Sequence, residues 1–347
     1  MGGGALKKLP KDKQTRRYNK DEFDSLATKL LPKVKDVFNT EVTLVESYKD
    51  KQTFGDMDIL VLNNGLGIDF ENNIDFVNQL KEIVVEEFGA NQTHKNGNVL
   101  SFDYERLQID LILVDKENWE SSNIFYKWGD LGNFMGKLFS SYGNLDKKHR
   151  LKYGFDGLKV VLLYNHRYKE VILTKDNKKG FDFLGLDYER YEQGFNSNKD
   201  VFDYILTSDI YSYDIFQWEN LNSKNKFRNK RRPSYYEFLE YIKDKKNTIE
   251  YTKGDDYYLN ELKDFFSVDI KEEYDSLLKE SERKKEISEK FNGRHVLNKF
   301  EVNPKKLNGM FGNFKKYVSE NKGDYGNYIL GNKLENLLSD FKQSNDL

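Results

Sequence analysis

Two carboxylates one residue apart open an apolar run in Gly55-Asp56-Met57-Asp58-Ile59-Leu60-Val61-Leu62. A short unbroken apolar run reads as a strand. Alternate strand residues share a face and lie roughly 7 Å apart, at about 3.3 Å of rise per residue. Asp56 and Asp58 are therefore expected side by side at the mouth of that strand. Like charges so close repel unless a cation lies between them. Hard divalent cations favour carboxylate oxygen and keep waters that a phosphate can displace. A second apolar run, Leu107 to Val114, carries Asp110 and reads as another strand. If the two strands are neighbours, three carboxylates converge. That is the donor set of a two-metal phosphoryl-transfer site, whose ions lie about 3.5–4 Å apart and clamp the attacking and leaving oxygens. A lone Asp-x-Asp is ordinarily a solvated strand end, so the weight falls on Gly55, the preceding Ser47-Tyr48-Lys49 and the third acid.

These residues resemble the signature of the DNA polymerase beta-like nucleotidyltransferase superfamily: Gly-Ser, a short loop, Gly-Asp-x-Asp, and a later Asp on a neighbouring strand. The resemblance implies that Asp56, Asp58 and Asp110 are catalytic and hold two Mg²⁺ (or Mn²⁺) ions, with Asp110 serving the ion that activates a 3′-hydroxyl. It implies that Ser47 and nearby backbone, Gly55 included, hold the triphosphate of an NTP or dNTP. Lys49 joins them by its charge and its place in the loop. Two departures stand out. Glu46 occupies the usual Gly position, and the loop from Ser47 to Asp56 is slightly shorter than in X-family polymerases.

The likeness runs on through Phe125-Tyr126-Lys127-Trp128-Gly129-Asp130-Leu131-Gly132-Asn133, which resembles the segment opening the thumb of X-family polymerases. That implies Tyr126 against the sugar, Asp130 beside the incoming base and Asn133 on the base's minor-groove edge. Asp130 and Asn133 share one face of a helix start. Asp130 is equally suited to capping that helix. His149 to Phe155 looks like the family's basic helix end before a strand pair, expected over 159–164 and 170–174. The run from Phe181 to Tyr188 resembles the closing thumb segment. Only about 45 residues precede Ser47, with no helix-hairpin-helix glycine pattern. A transferase acting on a 3′ end is thus favoured over a gap-filling repair polymerase.

The 347 residues allow roughly two domains. Aromatic residues at 15% argue against disorder, and a net charge of −2 means that any nucleic-acid surface is local. The absence of cysteine excludes disulfides, thiol chemistry and Cys-type zinc sites. No apolar run reaches the ~18–20 residues that span a bilayer, so no membrane partner is expected. A cytoplasmic location is expected, a host's cytoplasm if the source is viral. His94, His149, His166 and His295 are scattered, and none has a triad partner by spacing.

The expected fold class is α+β: a mixed-sheet nucleotidyltransferase palm over 20–118 behind a flexible basic tail over 1–19, a thumb-like region over 119–190, and a mostly helical C-terminal domain over 191–347. The tail's Lys7, Lys8, Lys11, Lys13, Arg16 and Arg17 are candidates for touching phosphates. Helices are expected over 21–38, bent or split at Pro32, and over 75–88; a turn at Asn63-Asn64-Gly65 and a tight turn at Glu105-Arg106 complete the palm. Further on, a capping box at Ser234 should start a helix to about Lys245, and helices are expected over 258–266, 271–291, 304–320 and 325–343, with 281–290 an exposed face. Arg228, Lys230, Arg231 and Arg232 surround Phe227 in a cluster suited to a nucleic-acid backbone, with the ring available for stacking. A solvated basic loop fits the same residues. The expected activity is addition of nucleotides from an NTP or dNTP to a nucleic-acid 3′ end. Three alternatives stay open: a template-independent poly(A)- or CCA-type RNA transferase, nucleotidylation of a protein or small molecule, and a non-catalytic nucleic-acid-binding module. Oligomeric state is not legible.

Overall fold

The computed structural model describes residues 4–6, 14–63, 74–165 and 167–347. Lys7, Lys8, Lys11, Lys13, the Asn64-Gly65 half of the expected turn and His166 lie outside the described residues. By compactness the chain divides into two units, residues 1–161 with 170–268 and residues 162–169 with 269–347. The whole is mixed α and β, with a mixed sheet and a helical C-terminal region.

The first unit opens with β1 (Tyr18–Asn19), α1 (Lys20–Phe38), β2 (Val42–Leu44), β3 (Thr53–Phe54), β4 (Asp56–Leu62), α2 (Ile74–Phe88), β5 (Thr93–Asn96), β6 (Val99–Tyr104) and β7 (Leu107–Val114). A five-stranded sheet runs in the order β2-β4-β7-β6-β5, and a separate ladder joins β1 to β3. β4 and β7 pair in parallel. The other pairs in this sheet are antiparallel. The period-two alternation decides which face of the central strands goes where. Met57, Ile59 and Val61 of β4 join Ile109, Leu111 and Leu113 of β7 in one core. That core also holds Phe23, Leu26, Leu30 and Val34 of α1 and Leu80, Val84 and Phe88 of α2. The even-numbered residues of both strands therefore face the other way.

Local chemistry explains the boundaries. Asn19 accepts from the Glu22 N–H while Glu22 accepts from the Asn19 N–H, a reciprocal capping box that starts α1. Pro32 lies inside α1, which continues to Phe38 as one helix rather than splitting. The chain turns between β6 and β7 at Glu105 and Arg106, both at positive φ (47° and 66°). Two such residues make the tight turn whose twist matches flanking strands, as the sequence predicts. The tail's last residues are anchored. Arg16 pairs with Glu22 at 2.7 Å, Arg17 reaches Thr53, and Tyr18 is buried.

Beyond the sheet come α3 (Trp119–Tyr126), α4 (Leu131–Ser141), β8 (His149–Gly154), β9 (Gly157–Tyr164) and β10 (Arg167–Thr174), the strands ordered β10-β9-β8. The sequence predicts a basic helix end at His149; the structure makes it strand β8. Buried Leu151 and Tyr153 alternate with exposed Arg150 and Lys152, a strand period that the basic residues mask. Next follow α5 (Asn177–Phe183), α6 (Tyr188–Gln193), α7 (Asn198–Leu206), α8 (Ser223–Asn229), α9 (Pro233–Ile242) and α10 (Asp255–Phe266). Aromatic packing holds them: Phe134 of α4 meets Phe238 of α9 with centroids 4.4 Å apart, and Phe202 and Phe216 close around the pair. α9 starts at Pro233 with Arg232 at the N-cap position, so Ser234 lies inside the helix, the expected capping box does not form, and the Ser234 hydroxyl donates to Asp130.

The second unit holds α11 (Ile270–Lys290), α12 (Gly293–Lys299), α13 (Leu307–Asn321), α14 (Tyr325–Gly331) and α15 (Leu334–Gln343). Phe291, Val296, Phe314, Val318, Ile329, Leu337 and Phe341 form its core. A single helix expected over 325–343 is two, because Asn332 is extended (φ −112°, ψ 154°) between α14 and α15. α12 carries no strong sequence signal. The charged stretch 281–290 is mostly exposed, yet Ser281 and the half-buried Ile287 face inward.

One glycine tests the packing behind the site. Gly194 has φ +76°, and a Cβ there would stand 2.6 Å from the buried Trp128 ring. Gly194→Ala should lower unfolding free energy by about 2–4 kcal/mol, through positive-φ strain and overpacking together. Urea denaturation measures it, and a change within about 0.5 kcal/mol would contradict this packing.

Candidate metal centre

The β4–β7 register fixes the site. In this parallel pair Asp56 lies opposite Gln108 and Asp58 opposite Asp110. All four are even-numbered, so all project from the face away from the α1–α2 core. Across β6, Ser101 stands opposite Asp110 and Asp103 opposite Gln108. Further along the same face the residues turn apolar: Leu60, Ile112 and Val114 cluster with Val45, Val99, Trp119 and Tyr126. One face of one sheet thus has an acidic end and a greasy end.

One carboxylate oxygen from each of Asp56, Asp58 and Asp110 lies within 4.8 Å of the other two. Burial pushes the Asp58 carboxyl well above the ordinary range, and the charges of Asp56 and Asp110 push it further. Asp110 is raised to about 7, first by burial and then by Asp56, while hydrogen bonds from Ser101 and Gln108 pull it down. Gln108 Nε2 donates to both Asp110 oxygens, at 2.9 and 3.0 Å. Three carboxylates repelling one another in a desolvated pocket fit a hard divalent cation, which removes the repulsion and prefers oxygen ligands.

Lys51, which the sequence reading passes over, feels this pocket. Burial lowers its pKa, and the charges of Asp56 and Asp58 raise it. Its ammonium lies 4.7 Å from the Phe54 ring centroid. A lysine five residues before an acidic strand gives no periodic signal, so only the folded loop reveals it. Ser47 is half-buried and Lys49 exposed in the loop between β2 and β3. The backbone sews that loop down, with Lys49 N–H donating to Phe195 O at 3.0 Å and Asp50 N–H to Asn196 O at 2.7 Å. Gly55 is buried directly before β4. Glu46, the departure from the Gly-Ser turn, pairs with Lys127 at 2.8 Å, so its charge is compensated.

Of Tyr126, Asp130 and Asn133, only Tyr126 feels the charge of the acid trio, through Asp58. Burial raises its phenol to about 12, a hydrogen bond with Asn98 opposes this, and the Asp58 charge adds to it. Trp128 and Gly129 follow at positive φ (63° and 70°), and the Trp128 N–H donates to Glu46 O at 3.0 Å. Asp130 and Asn133 turn elsewhere. Asp130 begins α4 without capping it and pairs with Arg232 and the Ser234 hydroxyl. Asn133 Nδ2 donates to Asn229 Oδ1 at 3.3 Å. These partners lie about a hundred residues on, beyond the reach of spacing arguments.

The basic cluster is divided. Arg232 is taken up by Asp130. Arg228 is within electrostatic reach of Tyr126, at the greasy end of the site face. Lys230 and Arg231 are exposed, and Arg231 lies 5.9 Å from the centroid of the exposed Phe227 ring. A second group of potential ligands, Asp146, His149 and Asp255, has separations of 3.1 Å and 3.9 Å from the histidine Nδ1 to the two carboxylates. Backbone amides of Lys148 and Asp146 also donate to those carboxylates, so the group satisfies itself by hydrogen bonds.

No protein-family model matches the chain, and no curated protein matches it either. The resemblance therefore rests on the residues of the sequence alone.

The raised carboxyl pKa values set a pH dependence. The folded chain keeps protons on Asp58 and Asp110 that the unfolded chain has already released. Their stabilising contribution is full below the ordinary carboxylate range and is lost as pH rises, for Asp110 through about 7. The loss is up to about 1.4 kcal/mol per pH unit for each carboxyl. In EDTA, urea denaturation should thus find the protein less stable at pH 8 than at pH 5.5. Asp58→Asn should flatten the profile and be the more stable protein at pH 8. An unchanged slope in both Asp58→Asn and Asp110→Asn would assign the dependence to other groups.

Proposed function

We propose that the chain is a metal-dependent nucleotidyltransferase that moves a nucleotide from an NTP or dNTP to an acceptor hydroxyl. One observation carries the reading: the parallel β4–β7 register sets Asp58 opposite Asp110, with Asp56 close enough for all three to share an ion. When bound there, Mg²⁺ or Mn²⁺ would lower the pKa of the acceptor hydroxyl and offset charge building on the phosphates. Asp56 and Asp58 would hold both ions and Asp110 the one beside the acceptor. Each acid contributes as a ligand held by a strand rather than a loop, so the oxygens need little reorganisation.

Lys51 deepens the reading. A desolvated ammonium beside two of the acids is suited to a triphosphate, whose negative charge would relieve both its burial and the mutual repulsion of the site. Ser47 and Lys49 lie in the same loop, and the Gly55 backbone follows β3 directly before β4. Tyr126, half-buried and within electrostatic reach of Asp58, would pack against the sugar or base of a nucleotide. Arg228, Lys230 and Arg231 leave a basic surface on which a nucleic-acid 3′ end could lie, with Phe227 for stacking. Addition to such an end is the first choice of acceptor.

Nucleotidylation of a protein or small molecule is a second reading, favoured by one observation. Asp130 and Asn133, the residues expected to read the incoming base, are engaged by Arg232, Ser234 and Asn229.

Incubation with Mn²⁺ or Mg²⁺, each labelled NTP or dNTP, and single-stranded RNA or DNA primers separates these readings. Primer extension supports the first, and label on protein or a small hydroxyl compound supports the second. No transfer to any acceptor would leave a non-catalytic binding module. Asp110→Ala should reduce transfer by at least about 10³-fold while changing triphosphate affinity less than about threefold. Turnover within tenfold of the parent would remove Asp110 from the ligand set.

A further inference from the structure

The fourth corner of the site face is not an acid. Gln108 lies opposite Asp56 and two residues before Asp110, and the residue is 2% exposed. Its Nε2 donates to both oxygens of Asp110. Its Oε1 accepts from the backbone N–H of Ala5 at 2.9 Å. The neighbouring Leu6 is buried at 4% exposure, so the segment is held there by its own side chain. A primary amide has one accepting end and one donating end. Ala5 N–H fixes which is which: with the oxygen committed to Ala5, the NH₂ must face Asp110. On the opposite side, Ser101 on β6 hydrogen-bonds the same carboxylate.

We propose that Gln108 is a positioning residue for the third metal ligand, and that residues 4–6 act through it as a strap that sets the cation affinity of the Asp56–Asp58–Asp110 pocket. An ionised carboxylate oxygen has a lone pair for the amide and another for a cation. The amide therefore holds the carboxylate plane without consuming its capacity to bind metal. Without the amide, Ser101 alone holds Asp110 against the repulsion of Asp56 and Asp58. Partners that orient metal ligands typically contribute about 10–100-fold in affinity. The strap thus links a segment more than a hundred residues away in sequence to the geometry of the pocket. This inference rests on the trio being a cation site, and not on what the site transfers.

The test is Mn²⁺ binding to the full chain without nucleotide, read by electron paramagnetic resonance of the free and bound ion. Asp58→Asn serves as the variant lacking a ligand. Gln108→Met keeps side-chain bulk and removes the amide; it should weaken binding about tenfold or more. Ala5→Pro removes the strap's N–H donor and should weaken it about threefold to tenfold. Ala5→Gly keeps the donor and should bind like the parent. The double variant Ala5→Pro/Gln108→Met should bind no more weakly than Gln108→Met alone, since a relay is not additive. Parent-like affinity in Gln108→Met, or fully additive losses in the double variant, would overturn the proposal. If Gln108→Met does not fold, Ala5→Pro against Ala5→Gly still decides, and equal affinities overturn it. Absence from the parent of any saturable binding that Asp58→Asn removes would instead overturn the cation site itself, and the proposal with it.

Discussion

The parallel pairing of β4 with β7 is the constraint on which the candidate site depends. Strand side chains alternate strictly, so a one-residue slip would send Asp110 into the α1–α2 core and Leu111 into the pocket. The flanking apolar residues prevent the slip. Ile109, Leu111 and Leu113 lie at 8% exposure or less on the core face, and any shift would bring charge among them. The force that aligns three acids is therefore hydrophobic. Burial of the odd-numbered residues dictates where the even-numbered ones must project.

The site face shows how a sheet can be two surfaces at once. At one end, Asp56, Asp58 and Asp110 sit among Gln108, Ser101 and the nearby Lys51. At the other, Leu60, Ile112 and Val114 pack with Trp119 and Tyr126. Tyr126 belongs to both, with its ring in the apolar cluster and its phenol sensing Asp58. The chain after it is held at positive φ through Trp128 and Gly129. A non-glycine residue in that region costs about 1–3 kcal/mol unless its surroundings compel it. Here the compulsion is visible: Trp128 N–H is tied to Glu46 O, and its ring meets Tyr191 and Phe195. The exit of β2, the end of α3 and the link after α6 converge on one tryptophan beside the pocket.

What the sequence revealed and what it concealed divide along physical lines. The acid trio was legible because period-two alternation is a short-range rule that two apolar runs obey. The tight turn at Glu105-Arg106 was legible because two strands so close leave no other connection. Lys51, Gln108 and Ala5 were not, because their importance comes from contacts that no periodicity encodes. Asp130 and Asn133 looked free for a ligand because their partners, Arg232, Ser234 and Asn229, lie far along the chain. His149 to Gly154 was misread because its exposed basic residues are conspicuous, whereas the buried Leu151 and Tyr153 that make it a strand are not. Asn332 interrupts an otherwise helical pattern without the Gly or Pro that usually marks a break.

A comparison within the same face separates an acid that serves the fold from acids that burden it. Asp103 is 5% exposed and accepts three hydrogen bonds: from the backbone of Asn91 and Gln92 and from the Asn91 amide, at 2.7–2.9 Å. It closes the link between α2 and β5, and its charge is met donor by donor. Asp110, on the next strand, is met by one amide and one hydroxyl and still has its pKa raised to about 7. Asp58 is raised well above its usual range with two like charges beside it. Asparagine at either position would relieve the repulsion, so folding alone gives no reason for three carboxylates there. Stability given up at one place and satisfied elsewhere on the same face is the pattern expected where a site is maintained for a ligand. A divalent cation bound among the three would turn that repulsion into attraction.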